Sequence, residues 1–259
     1  MLKSWRPYFS ALNLRKVKLM KDYKKIKSYL KDLAKTSKST PAQFFKTNRG
    51  GYAEHDRFIG VSVPQLRKIA KEFNALSMPE LLLLLKSSIN EERFLALIIQ
   101  CNQYKKGDLK QREALYKSYL KHLKYVNNWN LVDSSAHLII GAHLLDKKDK
   151  TLLTLLAKSN NLWERRIAIV STWYFIRNNQ LDWTIKIAKI LLQDTHDLIH
   201  KSVGWMLREM GKKDEKVLVN FLAQHAHLMP RTMLRYAIEK FPPKQRKAYL
   251  EKCKHAQLS

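Results

Sequence analysis

Glu164-Arg165-Arg166-Ile167-Ala168 decides the fold, because similar pieces stand elsewhere in the chain. Upstream is Glu92-Arg93-Phe94-Leu95-Ala96, and downstream are His200-Lys201-Ser202-Val203-Gly204 and Met233-Leu234-Arg235-Tyr236-Ala237. Arg166, Lys201 and Arg235 are separated by 35 and 34 residues. Each is a basic residue beside a small or apolar helical face, and the period suits one antiparallel helix pair per repeat. Stacked pairs bury a continuous core and curve, with the second helix of each pair on the inner surface. The expected fold is all-α, an α-α superhelix of HEAT-like helical repeats, a curved solenoid with a concave positive track.

Outward from the repeat, the chain divides into helical segments of similar size. Thr47-Asn48-Arg49-Gly50-Gly51 is the clearest loop. After it Pro64 opens a helix at its first position, Pro79-Glu80 starts the next, and Asn90 caps a third. Further helices are expected at about 109–124, 129–145, 149–158, 163–177, 181–193, 198–210, 214–227, 230–240 and 243–254, with Gly211 a C-terminal stop. Residues 1–40 hold twelve Lys or Arg against Asp22 and Asp32. Val17, Met20, Tyr23, Ile26, Leu30 and Leu33 recur there at helical spacing, whereas residues 1–15 read as poorly ordered. The expected organisation is a basic N-terminal arm over 1–40 with one amphipathic helix, then a HEAT-like repeat domain over 41–259.

Composition narrows the partners. Forty-nine Lys plus Arg against 22 Asp plus Glu leave a formal charge of +27, and 45% hydrophobic residues are enough for a sizeable core. So large an excess repels itself in the folded state and points to a polyanion, above all nucleic acid, where each neutralised phosphate releases counterions. Two distant cysteines, Cys101 and Cys253, make neither a disulfide framework nor a zinc site. The apolar runs Leu81–Leu85 and Leu138–Leu145 are too short to span a bilayer. A soluble, cytoplasmic protein without membrane contact is expected.

Four features break the core pattern. In Asn127-Asn128-Trp129-Asn130-Leu131-Val132-Asp133, a helix capped by Asn127 or Asn128 puts Trp129 and Asp133 on one face, opposite a core stripe of Leu131, Leu138, Ala142 and Leu145. That reads either as a reactive carboxylate beside an indole or as a solvated acid next to a packed Trp. Trp205 lies off its own helix's stripe, either presented to a ligand or packed at a rim. Trp163-Glu164-Arg165-Arg166 places two guanidiniums in a first helical turn, where the dipole disfavours them. They suit a bidentate phosphate contact or a salt bridge to a neighbouring repeat. The fourth is the polar loop Gly50–Gly60, which carries Tyr52. His196 and His200 have the spacing of a metal pair but lack the accompanying Glu, which favours a surface role.

Together these stretches resemble the AlkD-type DNA alkylation repair glycosylases, from about Phe44 to Tyr249. The matching pieces are Gly-Gly-Tyr…Phe-Ile-Gly-Val-Ser-Val-Pro (50–64), Asn-Asn-Trp-Asn-Leu-Val-Asp (127–133), Leu-Trp-Glu-Arg-Arg-Ile-Ala (162–168) and Gly-Trp-Met-Leu-Arg-Glu-Met-Gly (204–211). The resemblance implies hydrolysis of the N-glycosidic bond of cationic purines, such as 3-methyladenine and 7-methylguanine, in duplex DNA. It implies a monomer that needs no metal or cofactor. Asp133 matches the catalytic carboxylate, and Trp129 and Trp205 match the aromatic pair that flanks the deoxyribose. Arg166 matches a phosphate-contacting arginine, with Tyr52, Arg165, Trp163 and Arg208 as further expected DNA contacts. The alternative is a non-catalytic HEAT-like module that binds nucleic acid or protein.

Overall fold

The computed structural model describes residues 21–37 and 44–256, with side chains up to Glu251. Most of the basic arm, including Val17 and Met20, lies outside the described residues, as does the side chain of Cys253. Among the described residues the chain is all-helical, with one isolated bridge between Arg57 and Ile89 as its only extended pairing.

The first compact unit runs to Gln111 and adds Lys124–Leu131. It contains α1 (Lys21–Thr36), α2 (Val63–Glu72), α3 (Met78–Leu85) and α4 (Asn90–Lys106). α4 packs on both α2 and α3, and α1 packs on α3 through its buried Ile26 and Leu30. Ser62 and Gln65 form a capping box at the start of α2, where Pro64 is the second helical residue, one place later than expected. Asn90 is not a cap but the first residue of α4, with Ile89 before it. Its side chain is drawn instead to the buried carboxylate of Asp56, 2.9 Å away. A buried anion has a stronger claim on an amide donor than a helix end has.

The second unit comprises Arg112–Leu123 and Val132 onward. Two helices cross the division: α5 (Leu109–Lys121) and α6 (Trp129–Ala136), which begins in the first unit. α6 continues as a π-helical stretch, His137–Gly141, and a last turn, Ala142–Leu144. Then come α7 (Thr151–Ala157), α8 (Leu162–Arg177), α9 (Asp182–Ile190), α10 (Asp197–Gly211), α11 (Glu215–His225), α12 (Arg231–Ala237) and α13 (Pro243–Ala256). Every second element packs on the next: the π stretch on α8, α8 on α10, and α10 on α12. α7 and α9 lean on α8, and α11 on α10. That is the row-by-row order of stacked helix pairs.

The row is close-packed at glycines. A side-chain carbon on Gly141 would come within 2.2 Å of the Ser171 carbonyl and 2.8 Å of the Tyr174 side chain. Gly204 faces the Met233 carbonyl and the Tyr236 side chain in the same way, at 2.4 and 2.5 Å. The same contact thus recurs along the row. Gly211 also differs from expectation, since α10 includes it. It makes room for the Leu218 side chain of α11, and its backbone is not left-handed.

Candidate active site

The expected core stripe of α6 holds only at its start. Leu131, Val132, Ser135, Ala136, Ile139, Ile140 and Leu144 are buried, whereas Leu138, Ala142 and Leu145 are partly exposed. The cause is the π stretch: its wider turn holds an extra residue, so a stripe extrapolated at α-helical spacing slips off the core. Asp133 lies just before this change of winding, with its side chain 20% exposed.

Within the second unit, Asp133 is gripped by Arg166 of α8. Arg166 Nε donates to Oδ1 and Nη2 to Oδ2, each at 2.8 Å. The remaining amino group of the guanidinium, Nη1, donates to the Leu198 carbonyl at the start of α10. The arginine expected to meet a phosphate is therefore turned to the carboxylate, with its side chain 6% exposed. Of the two readings left open by the sequence, the structure shows a salt bridge between repeats. Arg165 is also engaged: Nε donates to Asp194 Oδ2 at 2.6 Å and Nη1 to the carbonyls of Ser159 and Asn160, both at 3.0 Å. Asn161 caps α8, its Oδ1 accepting from the Trp163 amide at 2.8 Å. Trp163, expected among the DNA contacts, is buried, only 8% of the residue being exposed. Arg208 pairs with Glu239 and Glu209.

Beyond the ion pair runs an aromatic row absent from the sequence reading. His137, one turn after Asp133, is buried against Trp173, with ring centroids 4.5 Å apart. Trp173 meets Trp205 edge-on at 4.9 Å. Trp205 is therefore packed along one edge and partly exposed. Burial pushes the His137 imidazole down to about 4, reinforced by the charge of Arg177 and opposed by a hydrogen bond to the Asp133 main chain. At neutral pH the ring is uncharged. Helical spacing could have found these residues: Trp173 lies two turns beyond Arg166 on α8, and His137 one turn beyond Asp133.

The first unit holds Tyr52 and Trp129. Trp129 Nε1 donates to the Tyr52 hydroxyl at 3.2 Å, and the indole stacks on Phe45 at 5.0 Å, which in turn stacks on Phe58 at 4.5 Å. Beneath them Asp56 accepts from Arg93, from Asn90 and from Asn128 Nδ2 at 2.7 Å. Asn128 Oδ1 receives the Trp129 amide, also at 2.7 Å. The loop carrying Tyr52 and the residues leading into α6 are thus pinned to one buried carboxylate. Glu91 of α4 holds the loop's far end, accepting from the amides of Ile59 and Gly60 at 3.0 and 2.8 Å.

The sequence's histidine pair is used structurally. His196 Nδ1 accepts from the Leu198 amide at 3.1 Å, and His200 meets the Asp194 carbonyl. Among the described residues no group of three or more His, Cys, Asp or Glu could hold a metal ion. No described helix is long and apolar enough to cross a membrane.

A fold of this kind, helix pairs stacked in a row, has a solved counterpart. A structure from Enterococcus faecalis, described as a predicted DNA alkylation repair enzyme, superposes with a TM-score of 0.58 over 80% of this chain and 99% of its own, at 16% identity. At that identity the likeness establishes the α-α superhelical repeat class and no more. The family follows from sequence: the profile of the DNA alkylation repair enzyme family matches residues 14–241, and the chain belongs to that family. No curated protein matches it.

Proposed function

We propose that this protein is a monofunctional DNA glycosylase acting in base excision repair. It hydrolyses the N-glycosidic bond of cationic alkylated purines, such as 3-methyladenine and 7-methylguanine, in duplex DNA. The observation that carries the reading is the partly exposed Asp133 carboxylate, fixed in orientation by Arg166 and linked through His137 and Trp173 to the Trp205 indole. A base that already bears a positive charge leaves without protonation by the enzyme. Positive charge then develops on the deoxyribose, as in glycoside hydrolysis generally. A fixed carboxylate stabilises that charge and orients the attacking water, and indole faces favour a cation. The resemblance assigns Trp129 with Trp205 to the sugar, and Tyr52 to DNA contact. Each indole is braced within its own unit, Trp129 by Phe45 and Tyr52, Trp205 by Trp173.

Asp133→Asn tests the reading. Removing a positioned electrostatic group costs about 10²–10³ in rate. Release of 7-methylguanine from methylated duplex should fall by at least that factor while duplex affinity stays unchanged or tightens. Equal release by both proteins removes Asp133 from the chemistry. One observation favours a second reading, a non-catalytic DNA-binding module: both Asp133 oxygens are engaged by Arg166, as in a purely structural pair. Base release by the wild-type protein decides between the two.

A further inference from the structure

Trp173 and Arg177 stand one turn apart on α8, and the Arg177 guanidinium lies over the Trp173 ring, 6.0 Å from its centroid. Arg177 is exposed and, among the described residues, pairs with no carboxylate. Arg165, Arg166 and Arg208 all do. Its charge reaches His137, one turn from Asp133, so it lies beside the candidate site within the same unit.

We propose that Arg177, laid against Trp173, is the arginine that grips a backbone phosphate next to the altered nucleotide. The inference rests on the DNA reading above and adds a binding residue to it. A guanidinium held over an indole face at cation–π range keeps its planar N–H edge free to match two phosphate oxygens. Among the described residues no carboxylate pairs with it, which leaves the guanidinium available to an anionic ligand. The neighbouring imidazole is neutral and leaves the anion to Arg177.

The test is duplex binding by fluorescence anisotropy over a range of KCl, using a duplex with one tetrahydrofuran abasic analogue. Wild type, Arg177→Gln and Arg177→Lys are compared. Arg177→Gln should lower the slope of log affinity against log salt by about one and weaken binding about fivefold or more at different flanking sequences. Arg177→Lys should restore the slope with only part of the affinity. A neutral methylphosphonate, scanned around the abasic analogue, should at one position cost the wild type as much as the Gln substitution does, and cost Arg177→Gln nothing. An unchanged slope, or methylphosphonate and Gln losses that add at every position, overturns the proposal. A wild type that shows no salt-dependent duplex binding fails one step earlier. That result refutes the DNA reading itself and is visible before any variant is compared.

Discussion

Arg166 joins three helices with one side chain, by a two-point contact to Asp133 on α6 and a third bond to Leu198 on α10. A lysine there keeps the charge but not the fork. Arg166→Lys should therefore lower the rate of base release about tenfold and leave the salt slope of duplex binding unchanged. A slope lowered by about one would instead make Arg166 a phosphate contact. His137 sets a pH limit on stability. Its folded value, about 4, is depressed from 6.5, so in acid the unfolded chain takes up the proton first. Its contribution is complete above pH 6.5 and is lost as pH falls toward 4, on the order of 3 kcal/mol over that window. His137→Gln should flatten this acid limb in denaturant titrations at pH 4 to 7; an unaltered limb would assign the loss to other groups. The departure of Asp133 and Trp205 from their helices' apolar stripes was legible in the sequence, and both are partly exposed. Trp173 and His137 do not stand out, although helical spacing puts them on the faces of Arg166 and Asp133, because an aromatic ring there reads equally well as core.

At the scale of the element, the helices α7 to α13 fall where apolar periodicity and capping residues put them. Asn161 and Asp214 cap α8 and α11 through the hydrogen bonds that such residues make at N-termini. The misreadings have local causes: a buried Asp56 that takes the Asn90 amide, a Leu218 that fills the space over Gly211, and a change of winding after Ala136. Of these, the Asn90–Asp56 bond joins residues 34 apart in sequence, a partner that a local reading does not reach. The glycine contact between α10 and α12 tests the packing itself. Gly204→Ala would place a methyl 2.4 Å from a main-chain carbonyl, which cannot yield as a side-chain tip can. Overpacking of that kind costs about 1–3 kcal/mol, more than alanine's helix propensity returns. Thermal unfolding should shift down by several degrees, and an unshifted midpoint would mean that α10 and α12 can part without loss.

For the whole molecule the dominant quantity is the formal charge of +27. If about six phosphates are neutralised, duplex affinity should fall by a factor of about 10³ between 50 and 200 mM salt. A nearly flat dependence would separate the excess charge from nucleic acid. The repeat was legible at this scale, but the division between Leu131 and Val132 was not, because the helical pattern runs through it unbroken. The π stretch also fixes a rotation between the two ends of its helix. A wide turn of this kind holds one residue more than an α-helical turn, so the direction of Asp133 relative to the buried Ile139 and Ile140 depends on that surplus. Excising Leu138 should heal the winding, keep the circular dichroism of a folded helical protein, and swing the carboxylate about 100° around its axis, away from Arg166. On the proposed glycosylase reading, base release should be lost with that swing, and release at the wild-type rate would separate the winding from the role of Asp133.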